Sequence, residues 1–109
     1  MPFAFTDEQH QYRDIVARFC RDKSTSSRVR AQMASESGFD RELWQQLGGE
    51  PGMSVVHVPE ALGGQGYGAV ELGLAMEEMG RVMFCGPYFS SSVLATYALL
   101  NGATPRQQA

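Results

Sequence analysis

Near the N-terminus, apolar residues return at helical spacing: Tyr12, Ile15, Val16, Phe19 and Cys20 stand at i, i+3, i+4, i+7 and i+8. Thr6, with Gln9 three positions on, forms a capping box ahead of that stripe, so the pattern predicts an amphipathic helix starting just after Thr6. Ser24 to Ser27 interrupt it, and a weaker helical pattern through Val29 and Met33 fades at Glu36-Ser37-Gly38. Asp40 is suited to cap a third helix carrying Leu43, Trp44 and Leu47 on one face, with Gly48-Gly49 as its stop. Met53 to Val58 holds Val55, Val56 and Val58 ahead of Pro59, a β-branched run bounded by breakers that predicts a short extended segment. Leu62 to Gly68 follows as a loop. Val70, Leu72, Leu74, Ala75, Met76 and Met79 then give a helix ending at Gly80, whose wide apolar face predicts deep burial. Pro87 opens a further helix in which Phe89, Val93, Tyr97 and Leu100 are spaced four, four and three apart, closed by Asn101-Gly102. Thr104-Pro105-Arg106-Gln107 is another helix-start signal, and standing so near Ala109 it reads as the opening of a helix in a polypeptide cut short.

A chain of 109 residues with 43% hydrophobic and 19% charged positions has the profile of one folded domain rather than a disordered tail. The net charge of −3 offers no basic stripe for a phosphate backbone, which excludes nucleic acid as the expected partner. No apolar run approaches the ~20 residues that cross a bilayer, and MPFAFTDEQH lacks a signal-peptide pattern, so the expected compartment is cytoplasmic. Cys20 and Cys85 form no CxxC pair and are expected as thiols.

Most of the tempting chemistry dissolves on inspection. Gly63-Gly64-Gln65-Gly66-Tyr67-Gly68 matches neither GxxxxGK[ST] nor GxGxxG, so a structural turn is expected rather than a phosphate cradle. Glu77 and Glu78 are adjacent on a helix and point about 100° apart, so they cannot share a substrate atom; one is expected in solvent and the other in a buried ion pair with Arg81. His10 is expected on the surface and His57 in a hydrogen-bonded structural role, since neither has a metal ligand at suitable spacing. Ser90-Ser91-Ser92 lacks a G-x-S-x-G elbow. The segment from Phe84 to Tyr97 differs: it mixes aromatic with small residues, a composition able to line a slot for an alkyl or ring-shaped group, or simply to pack a core.

The stretch Phe39–Arg81, FDRELWQQLGGEPGMSVVHVPEALGGQGYGAVELGLAMEEMGR, resembles the N-terminal helical domain of the acyl-CoA dehydrogenases, flavoenzymes that desaturate acyl-CoA thioesters between the α and β carbons. The resemblance implies an all-α orthogonal bundle of about five to six helices over residues 1–109, ending before a flavin-binding β-domain. It implies that FAD and the catalytic glutamate belong to later domains, so that this chain holds no catalytic, cofactor-binding or metal-ligating residue. It also implies that the helix after Glu-Glu-Met-Gly helps wall the acyl pocket, with Phe84, Tyr88, Phe89, Ser92, Val93 and Thr96 as its substrate-binding residues. Implied partners are the acyl-CoA substrate, the remaining dehydrogenase domains or a homologous subunit in a homo-oligomer, and an electron-transferring flavoprotein. Two alternatives stay open: a short non-catalytic companion subunit of a hetero-oligomeric dehydrogenase, and a free-standing helical interaction module. The Pro-Glu-x-x-Gly-Gly-x-Gly loop weighs against the module, which has no need of it.

Overall fold

The helix-start signals act as read. In the computed structural model, which describes residues 4–49 and 52–109, α1 spans Asp7–Lys23, α2 Ser26–Ala34, α3 Arg41–Gly48 and α4 Ala69–Arg81. A π-helix, Tyr88–Ala95, then runs into α5, Thr96–Gly102, and α6 is the single turn Pro105–Gln108. Met1–Phe3 of the N-terminal start and Glu50-Pro51 of the family stretch lie outside the described residues. Among those described there is no strand, and the architecture is all-α.

Local hydrogen bonds account for the boundaries. Thr6 Oγ1 accepts from the Gln9 amide at 3.1 Å while Gln9 Oε1 accepts from the Thr6 amide at 3.0 Å. Asp40 Oδ1 accepts from the Glu42 amide at 2.9 Å, and Thr104 closes a second capping box with Gln107; each such cap contributes about 1 kcal/mol. Gln9 also joins two elements, because its Nε2 donates to Glu71 Oε1 at 3.0 Å, where α4 starts. α1 packs along α4. Val16 and Cys20 from one meet Leu72, Ala75 and Met79 from the other, and Leu47, Met53, Val56 and Tyr88 complete the buried cluster. Fully burying an aliphatic side chain of this size contributes about 1.5–3 kcal/mol, so this cluster carries the fold.

Two expectations are corrected. Met53–Val55 forms a 3₁₀ turn rather than an extended run, and Val56 continues in right-handed backbone at φ −57° and ψ −35°. A lone extended segment would leave its backbone groups unpaired; here the glycine-rich loop supplies partners instead. The amides of Gln65, Tyr67 and Gly66 donate to the carbonyls of Val55, Val56 and Val58 at 3.1, 3.0 and 2.8 Å. The loop can lie that close only because residue 64 is glycine, as a Cβ there would overlap the Val58 carbonyl and side chain. The second correction concerns the helix after Pro87. The Thr96 amide donates to the Ser91 carbonyl, an i→i−5 bond, and the wider turn brings Tyr88 and Ser92 inward while Phe89 stays exposed. The phase of four, four and three therefore fails at its first member.

α4 ends in a Schellman motif. The Met83 amide donates to Gly80 O at 3.2 Å and the Phe84 amide to Met79 O at 2.9 Å, which places Met83 in the left-handed position at φ 54°. Glycine usually fills that position, because an L-residue there costs about 1–2 kcal/mol. Met83 is 74% exposed, so core packing does not recover the cost. Met83→Gly is expected to stabilise the chain by about 0.5–1 kcal/mol, the relief of strain less the entropy of glycine. A urea midpoint unchanged or lowered in the variant would contradict this.

The domain is flat, with extents of 39 × 38 × 21 Å and a radius of gyration of 14.7 Å, against about 13 Å for a compact domain of similar length. Its accessible surface of 7350 Å² for 12.0 kDa exceeds the roughly 6,000 Å² that size scaling gives a self-contained monomer.

Candidate functional site

Where α4 meets the π-helix, Met76, Met79, Gly80, Met83, Phe84, Gly86, Tyr88 and Phe89 line an apolar groove of about 210 Å³. α4 contributes the methionine side, and the Schellman turn swings the chain so that Phe84 and Phe89 face it. Tyr88 is 5% exposed, and its hydroxyl donates to the Met53 carbonyl at 2.6 Å, so its polar tip is spent on the fold and its ring is offered to the groove. Burial pushes the Tyr88 phenol far above its ordinary pKa, so the ring stays neutral. Among the described residues, none that lines this groove is an acid, base or nucleophile able to act at neutral pH; their side chains suit an apolar group.

Ser92 and Thr96 fall elsewhere. With Ser91, Ser54, Trp44, Gln45, Gly48 and Val55 they border a separate, hydroxyl-lined cavity of about 460 Å³. Val93 packs against the core cluster. The π register thus divides the six expected site residues: Phe84, Tyr88 and Phe89 come together, Ser92 and Thr96 come together in another place, and Val93 joins neither group. The groove also draws on Met76, Met79, Gly80, Met83 and Gly86, which lie partly on the preceding element. Met83, apolar and placed just past a helix stop, was the available signal.

The remaining candidates settle into structure. Gly63 and Gly64 donate their amides to Glu60 and Pro59 carbonyls at 3.0 and 3.1 Å, and the next two amides are already engaged with residues 55 and 58. With its amides committed, the loop does not fit a cofactor phosphate. Glu77 is exposed and Glu78 is buried, and Arg81 bonds both, at 3.0 and 3.2 Å. Cys20 is buried and its thiol pushed up to about 11, chiefly by burial, so it is inert. Among the described residues no cluster of His, Cys, Asp and Glu could hold a metal ion, and no helix is long and apolar enough to cross a membrane.

His57 departs from its expected hydrogen-bonded role. It is 6% exposed, neither ring nitrogen makes a hydrogen bond of good geometry among the described residues, and its ring lies 4.9 Å from that of Tyr97. Burial lowers its pKa, opposed only in part by the Ser92 backbone. Glu71 also titrates low: burial pushes its carboxyl up, but the bonds from Gln9 and from its own and the Gly68 amides outweigh it. Both groups are depressed in the folded state, so both remove stability as pH falls. The His57 loss begins near the ordinary histidine pKa of about 6.5, and the Glu71 loss near about 4.3. The urea midpoint is expected to decline in two stages on acidification, with His57→Phe flattening the upper stage. A variant that keeps the upper stage intact would exclude His57 as its source.

The chain belongs to the acyl-CoA dehydrogenase family: residues 6–109 match the family described as acyl-CoA dehydrogenase, N-terminal domain. It is 34% identical over 103 residues to acyl-CoA dehydrogenase IpdE2 of Mycobacterium tuberculosis, covering 94% of this chain and 32% of that protein. It is 38% identical over 73 residues to acyl-CoA dehydrogenase FadE27 of the same organism, covering 67% of this chain and 19% of the relative. Bovine mitochondrial isovaleryl-CoA dehydrogenase is 36% identical over 76 residues, covering 70% and 18%. The chain thus spans about a third or less of the length of these relatives. No solved structure matches it significantly.

Proposed function

We propose that this chain is the N-terminal domain of an FAD-dependent acyl-CoA dehydrogenase, in which it walls part of the acyl pocket and takes no catalytic role itself. The observation that carries the reading is the apolar groove between Met76 and Phe89, which offers dispersion contacts to an alkyl group. Desaturation removes a proton from the α carbon and a hydride from the β carbon of the thioester. A base and FAD as hydride acceptor come from the rest of the enzyme, with an electron-transferring flavoprotein as the onward acceptor. This chain's part is to hold the alkyl portion still and dry while those groups act. Its excess surface supports the same reading, since a flat domain with uncovered apolar side chains such as Phe89, Leu94 and Leu99 is suited to further domains or a second copy in a homo-oligomer.

The test uses the assembled enzyme, that is, this chain joined to or combined with its flavin-bearing part. Phe89→Ala is expected to change the ratio of kcat/KM between short and long acyl-CoA substrates by about tenfold, the worth of one or two methylene contacts in an apolar pocket. Thr96→Val, in the other cavity, should leave that ratio alone. The 109-residue chain by itself should purify colourless. A stoichiometric flavin band that survives gel filtration, or equal shifts from both variants, would overturn the proposal.

A further inference from the structure

Met83 is held against two energetic preferences at once. Its backbone occupies the left-handed position of a Schellman motif that glycine fills more easily, and its side chain is left 74% exposed. Strain of this kind gathers at ligand sites, where a side chain is wanted more than a relaxed backbone. Its position supplies the reason. Met83 borders the groove of about 210 Å³ with Phe84 and Phe89, and also a second, larger groove of about 650 Å³ whose lining combines Val29, Met33 and Val82 with Arg30 and Arg81. Among the described residues it is the one common to the two linings. The neighbouring Gly80 leaves open space beside it, as nothing lies within 4 Å of where its Cβ would be.

We propose that Met83 is a specificity-determining residue: its side chain partitions two grooves and confines the bound acyl group to the smaller, apolar one. The inference rests on the acyl-binding reading above and adds to it the residue that sets length. A flexible, polarizable thioether suits the position, because it can lie over ends of differing shape while still blocking passage. With the side chain removed, the smaller groove would open onto Val82 and Met33, and a longer alkyl chain would gain contacts that a short one cannot reach.

The assembled enzyme is assayed with saturated acyl-CoA substrates from four to twelve carbons, as wild type, Met83→Gly and Met83→Leu. The glycine variant is expected to raise kcat/KM for the longest substrate relative to the shortest by about tenfold or more. The leucine variant, which restores bulk, should stay within about twofold of wild type on the same scale. Because glycine relieves the backbone, loss of folding does not confound the result, and a merely structural Met83 would give a sturdier protein with unchanged ratios. An active wild type whose ratios survive Met83→Gly overturns this inference alone. A wild type that desaturates none of the series overturns the acyl-binding reading and this inference with it.

Discussion

Gly64→Ala is expected to cost about 3 kcal/mol or more. The added Cβ would overlap the Val58 backbone, which no side-chain rotation can relieve. The loop must then move away, surrendering the bonds from Gln65, Gly66 and Tyr67 to residues 55–58, each worth about 1 kcal/mol net, with buried carbonyls left unpaired in addition. A domain of this size has only about 5–15 kcal/mol to lose. Gly73→Ala serves as the control. Gly73 lies inside α4, is exposed, and has nothing within 4 Å of its missing Cβ, so alanine there should stabilise by about 1 kcal/mol through helix propensity. Urea titrations of both variants give opposite shifts on this account. Shifts of one sign, or a Gly64→Ala protein as stable as the parent, would mean that the loop is not seated as described.

Leu47→Ala should be comparably damaging, at about 3–5 kcal/mol. Leu47 is fully enclosed, the largest side chain among the described residues that is, and it packs where α3 meets the Met53–Val55 turn. That turn is hinged between Gly52 at φ 60° and the glycine loop, so it has little freedom to collapse into the space left behind. Trp44, the only tryptophan, stands one turn earlier on α3 and packs edge-on to Tyr88 at 6.5 Å. Its emission is expected to shift to the red in the variant, as water reaches the ring before global unfolding. An unshifted spectrum with a stability loss below about 1 kcal/mol would place Leu47 outside the core.

What could be read from sequence was whatever is decided within a few residues. Thr6 with Gln9, Asp40 with Glu42, and Thr104 with Gln107 close their bonds inside one turn, and the helices they announce are present. The Glu78–Arg81 pair is equally local. The register after Pro87 was not legible, because the choice between an i→i−4 and an i→i−5 turn rests on distant residues: Tyr88 reaches across to the Met53 carbonyl, and Ser92 is buried with it. The apolar spacing of Phe89, Val93 and Tyr97 suits an α-helix as well, so pattern alone pointed to the wrong phase. For the same reason the expected residues do not meet in one place: Phe84, Tyr88 and Phe89 border one groove, and Ser92 and Thr96 border another. The methionines of α4 supply a wall that no inspection of a single helix could pair with Phe84. The valine run of 53–58 failed differently, since a strand needs a neighbour and the residues that came to pair with it were glycine-loop amides.

On the proposed function, the Met76–Phe89 groove of this chain holds the acyl group of a CoA thioester. Photolabelling the assembled enzyme with an acyl-CoA that carries a diazirine at the end of its alkyl chain tests it directly, with adducts mapped by mass spectrometry. Labelling is expected within residues 76–89, at Met83, Phe84 or Phe89, and lost on competition with unlabelled acyl-CoA. Competable labelling confined to Ser54, Ser91, Ser92 or Thr96, or to residues outside this chain altogether, would contradict it.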